Sequence, residues 1–374
     1  MKKIKIKKKI LFILNVDYFL ITHRLPVAIK AIKLGYDVHL ASQVSNASEE
    51  IKKHNIKVHP IRINRSGLNI NSIFLSLLDI YKIIREIEPD IVHLISIKPI
   101  LLGGLALHFI KDKPKIISSI SGLGYLFTNK GYKTLLLKFI ATILYKIAFK
   151  HKSMICIVQN RDDLHFLQSL TSLPNRNFKL IPGSGVDLKK FCFTELSQSK
   201  PIIIFPARLL ISKGIQNFIE AAVALKKKAR FVIVGKFDPD SRDSITKEYI
   251  EFYQNKNFIE YWGYSKRMHL IIPKSTIVVL PSFREGLPKV LCEAAACGRV
   301  IITTDVPGCR DSIIKDETGL LIPRDDSSAL IRALTKLLDN PENLYIMGKK
   351  GRKFAEKMFD VNKIVNQHMK IYQK

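Results

Sequence analysis

Apolar residues along this chain fall into short continuous runs that alternate with longer amphipathic stretches. Ile10–Asn15, Asp37–Ser42, Lys57–Ile63, Ile91–Ile95 and Lys115–Ser119 have the length and continuity of buried strands. Between them apolar positions switch to helical spacing, over His23–Leu34 (closed by Gly35), Ile70–Glu86 and Ile100–Phe109. Thr134–Phe149, Cys156–Gln159 and Asp162–Leu170 continue the series as helix, strand and helix. A second series opens with the apolar run Pro201–Ala207 and goes on through Arg230–Gly235, Phe258–Gly263, Ser275–Leu280, Arg299–Thr303 and Gly319–Ile322. Helices Ser327–Leu338, Pro341–Phe359 and Val361–Lys374 close the chain. This alternation predicts an α/β protein of two doubly wound units, each a parallel sheet with helices on both faces. In such sheets ligands bind where loops leave the carboxyl ends of strands. Three loops of the first series qualify: Val16–Thr22, Ser96–Pro99 and Ile120–Phe127.

The 374 residues leave room for two ordinary domains, and 47% hydrophobic content excludes a disordered chain. The formal net charge is +29. Residues 1–200 hold 32 Lys or Arg against 13 Asp or Glu, a net of +19, so the excess lies mainly in the first half. A basic surface of that kind attracts nucleic acid or anionic lipid. Nucleic-acid binding also calls for aromatic-plus-basic stripes or a known module, and the chain shows neither. Five cysteines with no C-x-x-C pair read as reduced thiols of a cytosolic protein. The basic start, Met1-Lys-Lys-Ile-Lys-Ile-Lys-Lys-Lys-Ile10, reads as a leader to the first strand, because Asn15 and Asp17 break the apolar run that follows. The longest apolar regions, Ile95–Ile110 and Leu135–Phe149, are interrupted by lysines and fall short of a membrane span.

The stretch with most chemistry is Val279-Leu-Pro-Ser-Phe-Arg-Glu-Gly-Leu-Pro-Lys-Val-Leu-Cys-Glu-Ala-Ala-Ala-Cys-Gly298. A strand end leads into a loop with Glu285 and Gly286. Pro288 suits the first turn of a helix, and Gly298 suits the left-handed residue that ends one. Glu285 then stands just before the helix N-terminus and Glu293 inside the helix. Free N–H groups and the helix dipole make such a terminus an anion site, and carboxylates beside it can accept hydrogen bonds from sugar or ribose hydroxyls. After Pro201–Ala207 come two cations, Arg208 and Lys213, just before Gly214. Preorganised cations at a sheet mouth suit a leaving group that gathers negative charge.

Phe-x-Glu-Gly-Leu-Pro around Glu285 and Glu-Ala-x-Ala-Cys-Gly around Glu293 resemble the Glu-x7-Glu signature of retaining glycosyltransferases of family four. Arg208-x4-Lys213 resembles that family's donor-diphosphate clamp. Asn15-Val-Asp-Tyr-Phe-Leu-Ile-Thr-His-Arg-Leu-Pro26, Pro89-Asp-Ile-Val-His93 and Ser121-Gly-Leu-Gly-Tyr-Leu-Phe127 resemble loops of the bacterial O-antigen, capsule and exopolysaccharide enzymes. The resemblance implies a GT-B fold, two Rossmann-like domains facing across a cleft. Residues 1–185 take the acceptor, 186–358 bind the nucleotide-sugar, and 359–374 form a helix returning to the first domain. It implies transfer of a hexose or N-acetylhexosamine from a UDP-sugar to a lipid-linked (undecaprenyl diphosphate) saccharide. By the same resemblance Arg208, Lys213 and Glu285 are catalytic, and Gly286, Leu287, Glu293, Ser121 and Gly122 bind the nucleotide-sugar. Asp17, His23, Arg24 and Lys98 meet the acceptor. Ser121 is a departure, since many members have a histidine there, so a charged donor at that position is ruled out. The implied reaction is metal-independent and without a cofactor. Its place is the cytoplasmic side of the inner membrane, against an anionic surface and with no nucleic acid partner. Other GT-B enzymes such as UDP-GlcNAc 2-epimerases are the alternative, but they lack this set of loops. His93, inside a strand, reads as a core histidine, and Lys98, at a strand end, as better placed to meet a ligand.

Overall fold

Parallel strands order the chain around two points where the direction of winding reverses. The computed structural model describes residues 7–63, 69–122, 141–197, 199–241 and 243–374. The first sheet holds β1 (Lys9–Val16), β2 (Asp37–Gln43), β3 (Lys57–Pro60), β4 (Ile91–Ile95), β5 (Lys115–Ile120), β6 (Ile155–Val158) and β7 (Phe178–Leu180). Their spatial order is β3-β2-β1-β4-β5-β6-β7, with every pairing parallel. The second holds β8 (Ile202–Pro206), β9 (Arg230–Val234), β10 (Glu260–Tyr261), β11 (Ile277–Leu280), β12 (Val300–Thr304) and β13 (Gly319–Ile322), ordered β10-β9-β8-β11-β12-β13. Each order reverses beside its first strand, between β1 and β4 and between β8 and β11. Those crevices are where open α/β sheets bind ligands.

The inner strands are buried on both faces, which is why they read as unbroken apolar runs, whereas the edge strands β3, β7 and β10 keep exposed or half-buried positions. Ile10 to Leu14 of β1, Ile203 to Phe205 of β8 and Ile277 to Leu280 of β11 are almost wholly inaccessible. By contact the chain divides into Met1–Ser184 with Ile364–Lys374, and Gly185–Lys363. Helix Val361–Gln373 brings its end into the first unit, where the Tyr372 hydroxyl meets His93 Nδ1 at 2.7 Å. His93 is fully buried, and its Nε2 bonds Ser119 Oγ at 2.6 Å, so it is a satisfied core histidine as read from the sequence.

Several elements depart from the pattern. Val16–Thr22 is not a loop: Asp17 accepts from Tyr18 N at 2.7 Å and caps a short helix, Tyr18–His23, ahead of helix Leu25–Lys33. Lys98 lies in the first turn of helix Ile97–Ala106, not at a bare strand end. The strand expected over Phe258–Gly263 shrinks to Glu260–Tyr261 at the sheet edge. Of Thr134–Phe149 the described part is 141–149, helical over 141–148, with Ala141, Tyr145, Ala148 and Phe149 buried. The rest of it, with residues 123–127 of the third expected loop, lies outside the described residues. The five cysteines are free thiols, and four of them are buried.

Candidate functional site

The second unit gathers its charged side chains at its switch point. After β8 the chain turns through Arg208, a single 3₁₀ turn over Ile211–Lys213, and Gly214 at φ +75°. A β-carbon on Gly214 would stand 2.2 Å from the Pro281 carbonyl oxygen, so glycine is required where this turn meets the loop after β11. The two loops are laced together. Ser212 O accepts from Phe283 N (2.9 Å) and from Ser282 Oγ (3.2 Å). Asp243 holds the first turn from behind, accepting from Ser212 N at 3.1 Å and Ser241 Oγ at 2.7 Å.

This lacing sets Lys213 Nζ against Glu285 Oε1, which also accepts from Ser282 Oγ at 2.8 Å. Both side chains keep a small solvent face, 18% for Lys213 and 17% for Glu285. Glu285 N donates to Pro307 O at 3.2 Å, and Gly308, at φ +80°, packs its α-carbon against the backbone of Glu285 and Gly286. Arg208 is paired through Nη1 with Asp238 Oδ2, four residues beyond β9. Asp238 was missed in the sequence, although β9 neighbours β8 and its carboxyl-end loop therefore reaches Arg208. Asp238-Pro-Asp240 is an Asp-x-Asp pair of the type that elsewhere holds metals. Here Asp238 is committed to Arg208, and Asp240 is exposed. Among the described residues no three His, Cys, Asp or Glu side chains converge to hold a metal ion.

The loop ends in helix Lys289–Ala296, with Pro288 at the capping position and Gly298 left-handed at φ +72° beyond its end. Both boundaries match the sequence reading. Leu287 is buried beside the helix start, and Gly286 precedes it. Glu293, on the second turn, is 7% exposed. Burial pushes its carboxyl up to about 7, and the pull of Lys289, whose Nζ lies 3.8 Å away, and of Lys190 only partly offsets that. Glu293 is thus a buried acid whose charge two lysines offset only in part.

The first unit's switch point is built differently. Asp17 is fully buried, and its oxygens accept from Tyr18 N, Ser45 N (2.7 Å) and Ser45 Oγ. The carboxylate expected to meet an acceptor is thus engaged in shaping the turn. Arg24 is 2% exposed, with Nη1 donating to His23 O at 3.1 Å and Nε buried without a partner. Burial draws its guanidinium down to about 10. It too sits inside the fold. His23 is half-buried, with Nδ1 3.0 Å from Ser184 Oγ. Lys98 is half-buried, and desolvation lowers its ammonium pKa. Before it, Ser96 takes φ +73°, strained for a residue with a side chain, and Asn15 Nδ2 donates to its hydroxyl at 3.2 Å. Ser121 is exposed, just beyond the carboxyl end of β5, and Gly122 follows at φ +112°.

Two doubly wound units, the second with paired cations and acids at the head of a helix, define an enzyme of the GT-B glycosyltransferase class. Comparison with known proteins agrees. The model "Glycosyl transferase 4-like" matches residues 9–160, and "Glycosyl transferases group 1" matches 189–354. The chain belongs to these group 1, family-4-like glycosyltransferases. It is 27% identical over 365 residues to the N,N'-diacetylbacillosaminyl-diphospho-undecaprenol alpha-1,3-N-acetylgalactosaminyltransferase of Campylobacter jejuni, covering 94% of each chain. It is 24% identical to the UDP-Gal:alpha-D-GlcNAc-diphosphoundecaprenol alpha-1,3-galactosyltransferase of Escherichia coli, covering 90% of this chain and 89% of that one. The sucrose-phosphate synthase of Thermosynechococcus elongatus shares the fold, at TM-score 0.80, 19% identity and 98% coverage of both chains.

Proposed function

We propose that this chain transfers a hexose or N-acetylhexosamine from a UDP-sugar to a saccharide on undecaprenyl diphosphate, with retention at the anomeric carbon, in surface-polysaccharide synthesis. One observation carries the reading: Lys213, Glu285 and Ser282 are bonded into one cluster at the second switch point, beside Arg208 and the head of helix Lys289–Ala296. The names of the Campylobacter and Escherichia relatives, both of which act on diphospho-undecaprenol saccharides, support the acceptor.

Breaking the bond between the anomeric carbon and the leaving oxygen puts negative charge on the β-phosphate. Arg208 and Lys213 stabilise that charge without a metal ion, as preorganised cations in a part-buried site. To reach the diphosphate they leave or share Asp238 and Glu285, which hold them in position while the site is empty. Gly286 and Leu287 offer backbone N–H groups to the phosphate, and Glu293 accepts from the ribose hydroxyls. Glu285 accepts from hydroxyls of the donor sugar. The acceptor hydroxyl attacks from the face the leaving group departs and gives its proton to the departing phosphate oxygen. In the first unit His23 and Lys98 keep solvent faces for the acceptor, while Asp17 and Arg24 set the turn that presents His23. The basic first half favours work at an anionic membrane face, on the cytoplasmic side, and among the described residues no helix is long and apolar enough to cross a membrane.

A screen of UDP- and GDP-sugars against lipid-linked acceptors, with product anomericity read by NMR, tests this. Transfer from one UDP-sugar giving an α-linked product from an α-donor is expected. Turnover with GDP-sugars alone, or inversion, would overturn it.

A further inference from the structure

A single 3₁₀ turn carries Lys213, and a turn that short does not hold itself. Its own bonds run from Lys213 N to Leu210 O (3.0 Å) and from Gly214 N to Ile211 O (2.8 Å). They are few for the backbone they fix. The first N–H groups, those of Ile211 and Ser212, have no acceptor inside the turn. Leu210 stands at the capping position, and its side chain offers no oxygen to them. One residue of another loop takes both: Asp243 O accepts from Ile211 N at 2.8 Å, and Asp243 Oδ2 from Ser212 N at 3.1 Å.

Asp243 belongs to the loop after β9, and that loop runs along the segment with both cations. Arg208 pairs with Asp238, Leu209 N donates to Lys236 O (3.1 Å), Leu210 bridges Ser244, and Ile245 N donates to Leu209 O (2.9 Å). The Asp243 carboxylate is itself held, with Oδ1 accepting from Ser241 Oγ at 2.7 Å. Burial alone would raise its pKa, but the hydrogen bonds from Ser212 and Ser241 outweigh burial and bring it below the ordinary carboxylate value. It is therefore an anion at neutral pH, and its bond to the Ser212 N–H is charge-assisted. On the opposite side of the turn, Ser212 O accepts from Phe283 N at 2.9 Å, in the loop that carries Glu285.

We infer that Asp243 is a positioning residue for the transfer reaction: it caps the 3₁₀ turn from outside and so aims the Lys213 ammonium at the leaving diphosphate. Its bonds go to the backbone of the turn and to a serine, so it acts on the ammonium only through the turn. The inference rests on the reading of Lys213 as the cation that stabilises the departing phosphate, and it names what holds that cation in place. A flexible four-carbon stem on an unfixed turn would spread the ammonium over several positions. Developing charge is stabilised well only by a cation already in place.

A double-mutant cycle on kcat, with Lys213→Ala as the second change, tests this. Asp243→Ala alone lowers kcat by about ten- to hundredfold, as for a misplaced reacting group, and leaves the KM for donor within about threefold. In the Lys213→Ala background the same change costs less than about twofold, because the group it aims is already gone. Thermal unfolding checks that each variant is folded at the assay temperature. Asp243→Asn keeps an oxygen for Ser212 N and runs the same cycle where alanine does not fold. Its loss is about three- to fivefold in the wild type and absent beside Lys213→Ala. An equal loss in both backgrounds would make Asp243 a residue of general structure and overturn the inference. So would wild-type kcat in a folded Asp243→Ala protein while Lys213→Ala is slow, and that result leaves the reading of Lys213 standing. Normal turnover by Lys213→Ala would sink that reading, and the inference with it.

Discussion

The two switch points share a topology and differ in what they do with charge. At the second, each cation has a carboxylate partner and a solvent face: Arg208 with Asp238, Lys213 with Glu285. At the first, the acid and the cation of the corresponding turn are sealed inside. Asp17 is saturated by backbone and serine donors, and Arg24 has no carboxylate partner among the described residues. A pair at a part-exposed mouth can open toward a ligand at modest cost, since each partner is replaced by the ligand's charge or by water. A carboxylate closed inside a turn can only hold the turn. A charged residue after a strand therefore marks either a site or the scaffold of one, and burial decides which.

The largest effect should come from the part-exposed pair of Lys213 and Glu285. Lys213→Ala should lower kcat by about 10²–10³, or about 3–4 kcal/mol, as for other groups that stabilise developing charge. Its melting temperature should stay near the wild type's. A variant with normal turnover would break the comparison at its stronger end.

Glu293 separates stability from binding. Its carboxyl, raised to about 7 from an ordinary 4.5, favours the folded chain when protonated. That contribution is complete below about pH 4.5 and is lost as pH rises through about 7. Glu293→Gln has no such loss. It should gain up to about 3 kcal/mol over the wild type above pH 7 and almost nothing near pH 4, read by denaturant unfolding across pH. The same variant should bind UDP more weakly, because the amide accepts less strongly from ribose hydroxyls. A pH-independent difference in stability would show that Glu293 is not a buried acid.

Asp17→Ala is the counterpart in the first unit. It strands the donors of Tyr18 and Ser45 and should cost about 2–3 kcal/mol of stability. Turnover of the folded fraction should remain within a few-fold of normal. A large drop in kcat with unchanged stability would put Asp17 back at the acceptor. The smallest effect is expected for Asp238→Asn. Releasing Arg208 from a competing carboxylate should lower the KM for donor by about two- to fivefold, on the scale of a part-exposed ion pair. A rise in KM would mean that Asp238 holds Arg208 where the diphosphate needs it.

Much of the fold was legible because strands buried on both faces leave unbroken apolar runs, as in β1, β4, β8 and β11. Gly298 and Pro288 marked their helix ends because each has a local backbone reason to be there. What the pattern hid depends on contacts across the sheet. The Arg208–Asp238 pair joins residues 30 positions apart, and only the order β9-β8 brings them together. The helix Tyr18–His23 was read as a loop because its capping acid stands in a run of aromatic and aliphatic residues with no clear period. The burial of Asp17 and Arg24 depends on Ser45 and Ser184, which no spacing connects to them. Glu293 left a trace that could have been followed, since a lone acid amid Leu291, Cys292 and three alanines has little chance of a solvent face.

The most direct test is a crystal structure of the protein with UDP. The diphosphate should lie against Arg208 and Lys213 at the head of helix Lys289–Ala296, with the ribose hydroxyls on Glu293 and no divalent ion between. UDP bound anywhere else, or held to Asp238 and Asp240 through magnesium, would contradict this assignment of the second unit.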